Sequence, residues 1–129
     1  MSVVFGNLNK LKWMEKFNAE GQYRGRKKLF PGERATVQFM EFCNGHPVHP
    51  HRHSYEQIAI IMQGVCDFYC EGVKYRMAEG DFMVIPPNVE HYIHVHDSFV
   101  PVMNLDIFVP RRDEYVNEYM EFVKKEEGK

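Results

Sequence analysis

The chain has 129 residues, 44% hydrophobic and 26% charged, enough for one domain (1–129) whose core buries roughly two thirds of its unfolded surface. Its 16 basic and 18 acidic residues are interspersed and leave a net charge of -2, so there is no basic stripe for nucleic acid and no polybasic patch for a membrane. No apolar run approaches transmembrane length and the start carries no export signal, which predicts a cytoplasmic protein with small-molecule or protein partners.

Near the N-terminus, Trp13 and Phe17 are expected to plug one open end of the fold, since large aromatics mostly serve as packing mass. Seven short runs then follow: "RATVQFMEF", "YEQIAIIMQ", "VCDFYC", "VKYRMA", "DFMVIP", "VEHYIHV" and "PVMNLDIFV". Each is rich in β-branched and aromatic residues, and Gly45, Gly64, Glu71-Gly72, Glu79-Gly80, Pro86-Pro87-Asn88 and Asp97-Ser98 fall between them. Strands at this spacing predict an all-β sandwich or barrel, with its core over about residues 34–110. After Pro110 the period changes: Tyr115, Val116, Tyr119, Phe122 and Val123 recur at helical spacing, which predicts a C-terminal helix over about 113–125 with Asp113 as its cap. Cys43, Cys66 and Cys70 form no Cys-x-x-Cys pair and read as free thiols of a reducing compartment.

Four of the seven histidines crowd into "GHPVHPHRHSYEQ". Strand side chains alternate between faces, so His51, His53 and Gln57 share a face with Ala59 and Ile61. On the later strand the same parity groups His91 with Val89, Ile93 and Val95, and turns His94 and His96 the other way. If the apolar members mark the interior, His91 points inward. Three imidazoles and an amide oxygen converging inside a barrel would form a ligand set for one divalent transition metal. A single strand histidine more often serves packing, so the combination carries the reading. His46 and His49, between prolines, are expected as surface loop residues.

This spacing resembles the two motifs of the cupin superfamily. The first runs glycine, five residues, His-x-His, a Glu three or four residues on, then six residues and a glycine. Gly45, His51, His53, Gln57 and Gly64 stand at those intervals, with Gln57 where glutamate is usual. Gly80, Pro86 and His91 match the second motif, Asn88 standing where a glycine takes a positive φ and Val95 replacing the final Asn. The resemblance implies a cupin jelly-roll β-barrel that holds its metal with His51, His53, Gln57 and His91. Nickel, zinc, iron, manganese and cobalt all suit such a set.

The barrel's end, "LDIFVPRRDEY", is similar to the "LDIFSPPREDY" ending of pectin-degradation cupins, isomerases that linearise 4,5-unsaturated uronates. Carried over position by position, that resemblance makes Asp106, Phe108 and Arg112 the catalytic set. Arg111 departs from the family's second proline, and Asp113-Glu114 reverses its acidic pair. Three neutral histidines and a neutral amide would leave the ion's double charge uncompensated, which favours a small anionic substrate. Asp106 beside it suits a proton shuttle, Arg112 a carboxylate anchor and Phe108 a flat wall. The bland alternative is an Asp106–Arg112 ion pair that pins the terminal helix.

The function predicted is a metal-dependent cupin enzyme acting on a small carboxylated, sugar-derived substrate, most concretely the isomerisation of 4,5-unsaturated uronates. The alternatives are a non-catalytic cupin that only binds a small ligand or metal, and a cupin dioxygenase. Exposed edge strands and an amphipathic terminal helix are compatible with a homodimer.

Overall fold

Alternating burial along the runs, as in residues 102–109 where Val102, Asn104, Asp106 and Phe108 are buried and Met103, Leu105 and Ile107 half-buried, lets two sheets close face to face on one interior. The structure is a computed structural model and describes residues 2–129. All seven expected strands are present: β3 (Thr36–Phe42), β4 (Glu56–Gln63), β5 (Val65–Cys70), β6 (Val73–Ala78), β7 (Phe82–Ile85), β8 (His91–His94) and β9 (Val102–Val109). Two more precede them, β1 (Met14–Phe17) and β2 (Tyr23–Pro31). The sheets run β1-β2-β3-β9-β4-β7 and β6-β5-β8, antiparallel throughout.

Strands β1 and β2 extend the barrel beyond the 34–110 core expected from sequence. In β2 the run Arg26-Lys27-Lys28 hides the strand pattern, because both lysines are buried and each finds a specific partner. Lys27 pairs with Glu118 at 3.1 Å and lies over the Tyr115 ring, while Lys28 donates to the Leu8 carbonyl and lies over Trp13. Trp13 is therefore a flat platform for Arg26 and Lys28 on the flank of β2, and no plug. Phe17, 57% exposed, stands at the rim edge-on to Tyr23 and plugs nothing either.

Helix α1 (Asp113–Glu127) runs two residues longer than expected and seats Val116 and Tyr119 on Leu29, with Tyr115, Phe122 and Val123 around them. Asp113 is not its cap. Arg112 occupies that position without a side-chain bond, and Asp113 instead accepts from Arg111 Nε at 2.7 Å. The inner faces divide the barrel in two. Phe42, Ala59, Ile61, Cys66, Phe68, Met77, Ile85, Val95 and Val102 make a continuous apolar half. Burial there pushes the Cys66 thiol up to about 12, so it stays an inert packing group.

Two backbone positions shape the corners of the barrel. Gly64 has a φ of 85°, and a Cβ there would meet Ser98 Oγ at 2.8 Å and Val102 Cα at 3.1 Å, so only glycine fits the β4–β5 corner. Asn88 takes the positive φ expected of it, 65°, which turns its N–H onto the His53 carbonyl at 2.7 Å. The two motifs are thereby tied to each other directly.

Candidate metal centre

Strand β4 begins only at Glu56, so His51 and His53 do not sit on a strand as the parity argument assumed. His51 forms an isolated bridge with His91, its N–H donating to the His91 carbonyl at 3.1 Å and its carbonyl accepting from the His91 N–H at 2.9 Å. His53 follows in an irregular segment held by Asn88. Gln57 faces inward from β4 and His91 from β8. The result is the expected convergence: ligand nitrogens of His51, His53 and His91 lie within 4.8 Å of one another.

Each of the three imidazoles turns Nδ1 to a backbone carbonyl: His51 to His49 at 2.6 Å, His53 to Tyr55 at 3.0 Å and His91 to Val89 at 2.8 Å. A carbonyl only accepts, so Nδ1 carries the proton and Nε2 keeps the lone pair, the tautomer a metal needs. Burial lowers the pKa of His53 and takes that of His91 down to about 4, so neither carries a second proton at neutral pH. Yet Gln57 Oε1, itself an acceptor, lies 3.0 Å from both the His53 and His91 Nε2 atoms. The amide cannot turn over, because its nitrogen donates to Asp106 Oδ1 at 2.8 Å. Three lone pairs thus meet with no hydrogen between them. Such a donor set fits a cation and nothing else so well, and the residues present suit a divalent transition metal.

Asp106 is buried behind this set and accepts from Gln57, from Asn104 Nδ2 at 2.9 Å and from Gln38 Nε2 at 3.4 Å. Burial raises its pKa, and the three amide donors and the Arg112 charge only partly oppose that. Arg112 makes no ion pair with Asp106 among the described residues. Its Nε donates to Glu114 Oε1 at 2.9 Å and its backbone N–H to Thr36 Oγ1 at 2.8 Å, so the backbone of Arg112 ties the start of α1 to β3. The guanidinium lies 3.6 Å from the Tyr115 ring, 4.8 Å from Phe108 and 5.2 Å from Tyr55. Those rings fix its plane while its two Nη atoms make no hydrogen bond among the described residues. Phe108 is buried and also meets His53 edge-on, so it packs against both Arg112 and His53.

One cavity of about 590 Å³ is lined by His51, Gln57, His91, Asp106, Phe108 and Arg112, with Lys16, Arg24 and Arg52 among its other walls. His46 and His49 line it too: His49 is an exposed loop residue, as expected, at the cavity's rim, whereas His46 is drawn partly inside. His46 is half-buried edge-on to Phe42, and burial takes its pKa down to about 4. His49 contributes its carbonyl to orient His51. Sequence reasoning also missed Gln38 and Asn104, whose inward parity on β3 and β9 was the available signal.

A second group, Asp67, His94 and His96, also brings its ligand atoms within 4.8 Å. It lies on the opposite face of β5 and β8, where His96 Nε2 is 2.6 Å from Asp67 Oδ2 and Arg76 holds Oδ1 at 3.2 Å.

Solved structures settle the fold. An RmlC-like cupin from Shewanella frigidimarina superposes with a TM-score of 0.72 at 18% identity, over 88% of this chain and 96% of that one. The chain has a cupin fold. KdgF from a Halomonas species superposes on this chain with the same TM-score of 0.72, at 24% identity over 88% of this chain and 99% of the other. A predicted oxalate decarboxylase from Thermotoga maritima gives 0.69 at 15% identity, over 83% and 99%. Residues 41–102 match the family model of the AraC-like ligand binding domain, a span that includes His51, His53 and His91. No curated protein matches this chain significantly in sequence. No helix among the described residues is long and apolar enough to cross a membrane.

Proposed function

We propose that this cupin is a metal-dependent isomerase that opens 4,5-unsaturated uronates to the keto-deoxy acid. The observation that carries the reading is a single cavity lined by His51, His91, Gln57, the buried carboxyl of Asp106 and Arg112, whose Nη atoms make no hydrogen bond among the described residues, with His53 closing on Gln57 Oε1 at 3.0 Å beside it. The similarity to KdgF and the "LDIFVPRRDEY" resemblance support it. His51, His53, His91 and Gln57 would hold the metal, which when bound supplies a Lewis acid to the substrate's oxygens.

Ring opening moves one proton and needs no co-reactant. The anomeric hydroxyl loses its proton, the bond between the anomeric carbon and the ring oxygen breaks, and the resulting enolate takes a proton on the former alkene carbon to become a ketone. A single carboxyl can do both transfers. Asp106 is the candidate, since burial raises its pKa toward the range where it holds and releases a proton. Arg112 offers its planar fork to the substrate carboxylate. Three free thiols suit a cytoplasmic setting for this activity.

A second reading, a cupin that binds a ligand without turning it over, has the AraC-like ligand binding match in its favour. The deciding experiment follows the ultraviolet absorbance of a 4,5-unsaturated galacturonate over metal-loaded protein. Absorbance is expected to fall with wild type, and about 10²- to 10⁴-fold more slowly with Asp106→Asn at equal metal content. Binding of the uronate without loss of absorbance would establish the second reading instead.

A further inference from the structure

Neighbouring residues of a regular strand face opposite sides, yet Lys16 and Phe17 of β1 both line the cavity, together with Arg24 of β2. The cause is a β-bulge. Lys16 pairs with Gly25 and Phe17 with Tyr23, which leaves Arg24 without a partner across the two strands. Gly25 permits this, since at a φ of 149° it lies against the Glu41 carbonyl, where a Cβ would not fit. The bulge brings two cations and a 57%-exposed aromatic ring to one rim, and both cations are only half-buried, so a ligand in the cavity can reach them. Neither is matched by an acid. Lys16 makes no hydrogen bond or ion pair among the described residues, and Arg24 donates only to neutral oxygens, of the Gln22 side chain at 2.8 Å and the Tyr23 backbone at 3.4 Å.

Asp106 is the only carboxylate in the cavity wall, against Lys16, Arg24, Arg52 and Arg112, in a chain whose net charge is -2. Arg52 has Glu90 at 3.6 Å, and Arg112 is placed for the single carboxylate of a uronate. Lys16 cannot share that group. Through Gly25 and Phe42 it is in register with Val102, the start of β9, whereas Arg112 follows the far end at Val109, and seven residues of strand span about 23 Å. The volume of about 590 Å³ is that of a pocket for a drug-sized ligand, more than one sugar acid fills. We infer that the bulge builds an outer subsite for a second acidic sugar, so that the cavity takes two linked uronates, one carboxylate at Arg112 and the other at Lys16 and Arg24. The exposed face of Phe17 suits the C–H face of the second ring, which a bare inorganic anion lacks. A glycosidic link leaves the unsaturated ring no free anomeric hydroxyl, so such a pair occupies the site without being opened and competes with the substrate. The subsite rests on the cavity being the ligand site proposed above.

The test is binding, not turnover. Metal-loaded protein is titrated calorimetrically with D-galacturonate and with α-1,4-digalacturonate. The disaccharide is expected to bind wild type about 10-fold more tightly, and this advantage to fall to about twofold in Lys16→Gln and in Phe17→Ser while the affinity for galacturonate is unchanged. Added salt should shrink the advantage in wild type. Variants that weaken both ligands alike, or that keep the full advantage, overturn the inference. So does galacturonate that still binds to protein saturated with the disaccharide, which would place the disaccharide elsewhere. Equal binding of the two ligands to wild type overturns the outer subsite and leaves the proposed site standing. Binding of neither removes the proposed function and the subsite together.

Discussion

Two His-x-His pairs sit close together in this barrel, and they solve opposite electrostatic problems. His51-x-His53 meets His91 on the inner side of β8, and His94-x-His96 lies beyond it on the outer side, opposite Asp67 of β5. Residue type and spacing are the same. Inside, the third partner is the neutral oxygen of Gln57, so the converging atoms are all acceptors and the missing component is a cation. Outside, the partner is a carboxylate whose two oxygens already face His96 and Arg76, and Arg76 is itself clamped by Asp97 at 2.8 Å. The positive charge is already in place there. Whether a histidine cluster calls for a metal thus depends less on the histidines than on whether a donor is already present among the atoms they face.

The largest effect should separate the two clusters by metal content. His91→Ala removes one of three imidazoles and is expected to lower affinity for nickel or zinc at least about 100-fold, whereas His96→Ala should leave the inner ion untouched. Metal analysis after dialysis reads both. Equal loss in the two variants would mean that both clusters contribute to metal binding, and the distinction drawn here would collapse.

The inner cluster was legible in sequence because cupin spacing depends on backbone features that sequence displays: the glycine corner at Gly64 and the positive φ at Asn88. Even so, the strand parity used for His51 and His53 rested on a strand that the chain does not form there. Parity held for Gln57, Ala59 and Ile61, which are in β4, and the histidines reach the same place through a bridge and a turn. Strand β2 was hidden because buried lysines break the apolar pattern, and their compensation comes from Glu118, Leu8 and aromatic faces far away in sequence. The part played by Gln38 and Asn104 was invisible for a similar reason: their amide nitrogens meet the Asp106 carboxyl only once β3 and β9 lie side by side.

A milder change sharpens the contrast by making the inner cluster resemble the outer one. Gln57→Glu puts a second carboxylate where an amide nitrogen now stands 2.8 Å from Asp106 Oδ1. Two buried carboxyls at that distance share a proton, and the pair's pKa rises. A raised carboxyl pKa costs stability as pH climbs above its unfolded value, so the metal-free variant should be about 2 kcal/mol less stable than wild type at pH 7 and recover on acidification. Saturating metal neutralises the added charge and should raise the melting temperature more in the variant than in wild type. Equal metal-induced shifts in thermal denaturation would show that Gln57 does not face the ion.

The smallest effect belongs to the outer cluster, where Asp67→Asn keeps the shape and removes the charge. Burial pushes the Asp67 carboxyl up, but hydrogen bonds from His96 and Arg76 outweigh it and hold the pKa below the usual aspartate range. A depressed carboxylate pKa means stability that is present above about pH 4, the unfolded value, and is lost as pH falls through the folded one. Arg76 keeps Asp97 as a partner in the variant, so the cost at pH 7 should be about 1 kcal/mol, well short of that for a fully orphaned charge. The gap in melting temperature between wild type and variant should therefore be constant near neutrality and narrow below about pH 4. Metal content should not change. A variant that lost metal in step with stability would tie the two faces of β8 together, and the outer network would then be a support for His91.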